Sequence, residues 1–109
     1  MRHLVKGRKL NRTSSHRSAL MSNLSISLVK HKRIVTTEPK AKELRRFIER
    51  LITYAKKDNL HGRRLIMSKI KGSLKKEIAN TLIHDIAPNY SDRNGGYTRI
   101  IKLANRKND

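Results

Sequence analysis

The sequence predicts an α+β domain, four helices packed with a small sheet, preceded by a basic extended arm. Three observations predict it. Apolar residues recur at helical spacing through most of residues 14–86. Two short stretches, RIVTT at 33–37 and YTRIIKL at 97–103, carry the β-branched and aromatic residues of strands. The opening seventeen residues hold few core-forming side chains beyond Leu4, Val5 and Leu10. The order is arm, helix, strand, three helices, strand, with no internal repeat and no alternating βαβ unit.

The elements follow from local chemistry. Thr13 or Ser14 can cap the first helix, because a hydroxyl accepts a free first-turn N–H. Leu20, Met21, Leu24 and Leu28 then recur at helical spacing. After RIVTT, Thr37 is placed to cap the second helix, with Glu38 and Pro39 in its first turn, where the missing proline N–H is harmless. Ala41, Leu44, Ile48, Leu51, Ile52 and Ala55 form the cleanest apolar stripe in the chain, and Lys42, Arg45, Arg46, Glu49 and Arg50 line the opposite face. Asp58-Asn59 marks the end of this helix. A third helix is predicted over 60–71, with Leu65, Ile66 and Ile70 inward and Gly72 as a left-handed stop. Ser73 is placed to cap a fourth, with Leu74, Ile78, Leu82, Ile83 and Ile86 inward and Pro88 closing it. Residues 88–96 read as a turn-rich loop ending in Gly95-Gly96, before the second strand candidate.

Charge divides the chain by task. It carries 27 Lys+Arg against 8 Asp+Glu, a net charge of +19. A compact domain with that excess repels itself unless something anionic lies beside it, and a dense row of phosphates is the natural counter-charge. The first acid is Glu38, and nine bases precede it: Arg2, Lys6, Arg8, Lys9, Arg12, Arg17, Lys30, Lys32 and Arg33. Residues 1–13 therefore read as an RNA-binding arm, extended and mobile in isolation because burial cannot offset the entropy of ordering it. Residues 14–104 read as one domain and 105–109 as a polar tail. The 109-residue length suits one small core of marginal stability, strengthened by a bound partner.

The same residues exclude other classes. With no Cys there are no disulfides or thiolate metal sites, as in a reducing compartment. No apolar run approaches the roughly 20 residues that span a bilayer, and no signal core opens the chain. The acid-free start, rich in Arg and Ser, loosely resembles a transit peptide, but it is equally suited to lie on RNA. His3, His16, His31, His61 and His84 form no metal-ligand spacing. Glu38, Glu43 and Glu49 are interleaved with Lys and Arg and read as surface ion pairs rather than a two-metal site. Ser14-Ser15-His16 reads as a helix cap beside phosphate contacts. Gly95-Gly96 lacks the surroundings of a phosphate-binding loop and reads as a sharp backbone turn. Phe47, Tyr54, Tyr90 and Tyr97 are too scattered in sequence for a base-stacking platform. No catalytic residue, metal or cofactor is expected.

Three segments carry a resemblance: MRHLVKGRKLNRTSSHR at 1–17, TTEPKAKELRR at 36–46 and GGYTRI at 95–100. Colinear and correctly spaced, they resemble the bacterial large-subunit ribosomal protein seventeen family along essentially the whole chain. The resemblance implies a non-enzymatic constituent of the large (50S) subunit. It implies binding to 23S ribosomal RNA beside other ribosomal proteins, near the solvent side and the peptide-tunnel exit. It implies RNA contacts at Arg2, His3, Lys6, Arg8, Lys9, Asn11, Arg12, Ser14, Ser15, His16 and Arg17 in the arm. Lys40, Lys42, Arg45 and Arg46 follow in the second motif, and Arg93, Tyr97 and Arg99 in the third. It also implies a further turn and apolar strand after YTRI. The sequence given stops at Asp109, so two strand candidates remain in it.

The implied address is cytoplasmic, on the ribosome, with an organellar ribosome as the variant. The expected partners are RNA and proteins, with no small-molecule substrate and no membrane. The main competitor is a sequence-tolerant architectural protein of DNA or RNA, which shares the charge argument. A membrane-active cationic protein and an enzyme rank below it.

Overall fold

The computed structural model describes residues 13–103, which form a helical domain. Four α-helices follow one another: α1 (Ser14–His31), α2 (Glu38–Lys57), α3 (Leu60–Lys69) and α4 (Lys75–Thr81). The chain continues from α4 through a π-helical turn, Leu82–Ile86, and a 3-10 turn, Ala87–Tyr90. The arm as far as Arg12 and the tail from Ala104 lie outside the described residues, so the expected division at 1–13, 14–104 and 105–109 is not probed by the fold.

The expectation of a sheet is corrected. Among the described residues there is no strand: 33–37 and 97–103 are irregular and make no ladder with each other. The reason is physical. β-branched side chains favour strands only where a pleated, half-buried surface receives them, and two strands alone are marginal without a packed face. Here Val35 is 80% exposed, Ile101 63% and Leu103 67%. The second segment docks on a helix rather than on a strand: the Thr98 N–H donates to Glu49 Oε2 at 3.2 Å.

The helix ends obey capping chemistry with some reassignments. Thr13 caps α1, its Oγ1 accepting from the His16 N–H at 3.3 Å. Thr37 occupies the N-cap position of α2 without a side-chain cap bond, and Pro39 falls in the first turn as expected. Asp58 ends α2 in the left-handed region, at φ 46°. Asn59 begins α3 by accepting from the Gly62 N–H at 2.6 Å. Gly72 does not cap α3; the helix ends earlier, at an extended Ile70. Leu74, not Ser73, precedes α4.

The core is centred on α2. Leu44, Ile48, Leu51, Ile52 and Ala55, the stripe read from the sequence, are all buried. They meet Ile66 and Ile70, together with Ile78, Ala79, Leu82, Ile83 and Ala87. Helix α1 packs on the core through its expected residues and two serines besides. Its buried face is Met21, Ser22, Ser25 and Val29, while Leu20, Leu24 and Leu28 are half-buried. The small serines let the helix pack closely, and Ser22 Oγ accepts the Lys71 N–H at 2.8 Å, tying α1 to the α3–α4 turn.

The α2–α3 corner has no spare room. A Cβ on buried Gly62 would lie 2.5 Å from the Tyr54 carbonyl oxygen and 3.1 Å from Asn59 Oδ1. The first neighbour is backbone and must move with its helix. Gly62→Ala is therefore expected to destabilise the domain by about 1–3 kcal/mol, read as a lower urea midpoint. A neutral result would mean that α2 and α3 can separate freely at this corner.

Candidate nucleic-acid interface

The C-terminal segment runs along α2 in the opposite direction and brings the second and third basic motifs together. Its anchors are side chains of α2. Glu49 Oε2 accepts from both the N–H and the hydroxyl of Thr98, the latter at 2.7 Å. Lys56 Nζ donates to the Arg93 carbonyl oxygen and, at 3.1 Å, to the Tyr97 hydroxyl. At the far end, Lys102 Nζ lies 3.6 Å from Glu38 Oε1. Gly95 (φ 107°) and Gly96 (φ 64°) make the turn that starts this run, in a backbone region that glycine enters without the cost a Cβ imposes.

Between α2 and this segment lies a groove lined by Arg45, Tyr90, Arg93, Gly96, Tyr97, Thr98, Arg99 and Ile100. Three arginines line it. A guanidinium presents a rigid fork of donors matched to phosphate oxygens, and the floor is firmly built. Tyr97 is 8% exposed. Its ring meets Tyr90 edge-on, with centroids 5.4 Å apart, and Lys56 Nζ stands 5.0 Å from its centroid. The hydrogen bond from Lys56, aided by one with Thr53 and by the lysine's charge, draws the Tyr97 hydroxyl below its ordinary pKa. Arg93 also reaches back, Nη1 donating to the Gly96 carbonyl at 3.3 Å, so its side chain braces the turn.

The residues implied by the resemblance fall into distinct places. Arg45, Arg93, Tyr97 and Arg99 share the groove, with Tyr97 buried in its floor. Lys42 and Arg46 lie outside its lining on α2 and pair within their own helix, Lys42 with Glu38 at 3.1 Å and Arg46 with Glu43 at 3.5 Å. Lys40 is half-buried near the start of α2. Ser14, Ser15, His16 and Arg17 form the first turn of α1, with the first three exposed. Arg2, His3, Lys6, Arg8, Lys9, Asn11 and Arg12 lie outside the described residues.

Acids on this face act as props for the basic surface. Glu38 holds two lysines, and its carboxyl is drawn below the usual carboxylate range by the hydrogen bond from Lys42 and then by the charge of Lys102. Sequence reasoning missed Lys56 and Glu49. Both lie on the helix that carries the apolar stripe, and nothing in their spacing announces a partner more than forty positions away. It also missed the meeting of Tyr90 with Tyr97, seven positions apart, which the tight turn between them permits.

Among the described residues no group of three or more His, Cys, Asp or Glu could hold a metal ion. No described helix is long and apolar enough to cross a membrane.

Comparison with known proteins gives one consistent result. The family model "Ribosomal protein L17" matches residues 20–109. The large ribosomal subunit protein bL17 of Orientia tsutsugamushi (strain Ikeda) is 55% identical over 109 residues, covering 100% of this chain and 73% of the relative. That of Sulfurovum sp. (strain NBC37-1) is 54% identical over 109 residues, covering 100% of this chain and 91% of the relative. That of Thermus thermophilus is 53% identical over 107 residues, covering 98% of this chain and 88% of the relative. On the family match and on identities of this size along its whole length, the chain belongs to the ribosomal protein L17 family.

Proposed function

We propose that this chain binds 23S ribosomal RNA through the α2 groove and the N-terminal arm, and so holds local RNA packing in the large ribosomal subunit. The observation that carries the reading is the convergence of Arg45, Arg93 and Arg99 on one groove in a chain of net charge +19. As a member of its family the chain is a structural constituent of the large ribosomal subunit and not an enzyme. It associates with ribosomal RNA and ribosomal proteins and, in bacteria, resides on the cytoplasmic ribosome.

The finer assignments rest on the resemblance. They are 23S RNA as the bound molecule, a position on the solvent side by the tunnel exit, and RNA contacts along the arm from Arg2 to Arg17. Phosphate contact supplies most of the affinity in such a surface and base edges little. The groove and arm would divide the work of RNA contact.

Removing residues 1–12 tests the division. Far-UV circular dichroism per residue should barely fall, because the core described above lies wholly beyond them. Incorporation into large subunits, followed by co-sedimentation after a high-salt wash, should fail. Normal assembly of the truncated chain would remove the arm from its proposed role.

A further inference from the structure

The α3–α4 turn carries a second concentration of charge that the RNA groove does not include. Residues 69–76 read KIKGSLKK, and Lys69, Lys71, Lys75 and Lys76 are all exposed. Ion pairs of the described residues lie elsewhere, among them Lys32 with Asp85, Lys42 with Glu38, Arg46 with Glu43, and Lys102 with Glu38. None of the four turn lysines has an ammonium partner among the described residues. Glu77 is the one acid adjoining them in sequence, and it too is exposed. None of those ion pairs reaches these four lysines, so the turn keeps most of its positive charge.

The turn is also held in place. Ile70, within the lysine run, is 1% exposed and pins the turn to the core. The Lys71 N–H is bound by Ser22 of α1 at 2.8 Å. Arg63 of α3 donates to Asn80 of α4 at 2.6 Å, locking the two helices that flank the turn. Gly72, at φ 98°, has nothing within 4 Å of where a Cβ would be, so the backbone itself is open to close approach. Lysines carried on a held, open backbone suit a row of phosphates: an ammonium is a point charge that accepts any phosphate geometry, without the forked alignment an arginine uses.

We infer that the α3–α4 turn is a second RNA-binding surface, contacting the phosphate backbone through Lys69, Lys71, Lys75 and Lys76, so that one domain bridges two RNA segments. This rests on the RNA reading of the groove but uses none of its residues. A structural protein with two rigid phosphate-binding surfaces constrains the distance between the strands it touches, which a single groove does not.

The absence of native Cys permits a direct test. Lys71→Cys and, separately, Arg99→Cys are each labelled with a benzophenone, bound to intact 23S rRNA and irradiated. Both labels should attach to RNA, at nucleotides in different secondary-structure elements. In parallel, the chain with all four turn lysines changed to Gln should show a slope of log affinity against log salt shallower by about 3, near the value for four phosphate contacts. Its melting temperature should be unchanged, since the four side chains are exposed. Should that variant not fold, the Lys75→Gln/Lys76→Gln pair replaces it, with about half the change in slope. Attachment to RNA from position 99 but not from 71, or an unaltered slope, overturns the second surface while leaving the groove intact. Attachment of the 71 label to an acidic protein neighbour in assembled subunits, with none to RNA, overturns it as well. If neither label reaches RNA, the RNA reading of the groove falls and this inference falls with it.

Discussion

Changing Arg45, Arg93 and Arg99 together to Gln is expected to weaken binding to 23S rRNA at least ten-fold, about 1.4 kcal/mol. It should also flatten the dependence of log affinity on log salt by about 2–3. The three side chains line one groove and arrive from different parts of the chain, α2 and the segment after the 3-10 turn. Their charges reinforce one another at a single stretch of backbone, where hydrogen bonds to charged groups are the stronger kind. Arg93 also braces Gly96, so its loss would loosen the turn as well. The double variant Arg45→Gln/Arg99→Gln separates the two effects. Both side chains are exposed, and a surface change of this sort leaves stability within about 0.5 kcal/mol. Filter binding across a salt series reads both affinity and slope. A triple variant that binds with the same slope as the natural chain would show that RNA does not enter the groove.

Leu51→Ala should act on the fold instead, lowering unfolding free energy by about 2–5 kcal/mol. Leu51 is 1% exposed at the centre of the α2 stripe. That stripe faces α1, α3 and the turns after α4, so a cavity there is bordered by several elements that cannot all close in at once. A domain of this size has roughly 5–15 kcal/mol to lose, so the urea midpoint should drop sharply. Added 23S rRNA should restore much of the loss, because a ligand that binds only the folded chain shifts the equilibrium toward it. A loss below about 1 kcal/mol would mean that α2 is not the centre of the core, since complete burial of a leucine is worth more than that.

Arg45 and Leu51 lie on different faces of one helix, and both faces were legible in the sequence to different depths. The apolar stripe from Leu44 to Ala55 was readable because helical spacing alone decides which side chains share a face. The basic character of Arg45 was readable for the same reason. That Arg45 would stand beside Arg93 and Arg99 was not, because no local rule relates a helix position to a segment some fifty residues further on. The residues that make the contact, Glu49 and Lys56, look in sequence like ordinary surface charges. Helix α1 shows a milder form of the same limit. Its leucines do pack against the core, but Ser22 and Ser25 are the fully buried positions, since close packing against neighbours rewards small side chains that hydropathy ranks as polar.

Composition and spacing alone determined the helices, the hydrophobic face of α2, the charge imbalance that calls for an anionic partner, and three colinear motifs specific enough to indicate the family. Each depends on chemistry within a few residues or on totals, and none needs a fold. Tertiary structure alone decided what became of the two strand-like segments and where the basic motifs meet. A strand exists only when another strand answers its hydrogen bonds; at 97–103 the Thr98 N–H goes instead to Glu49 of α2, and side-chain bonds to Glu49 and Lys56 hold the segment on that helix. The result is a groove rather than a sheet.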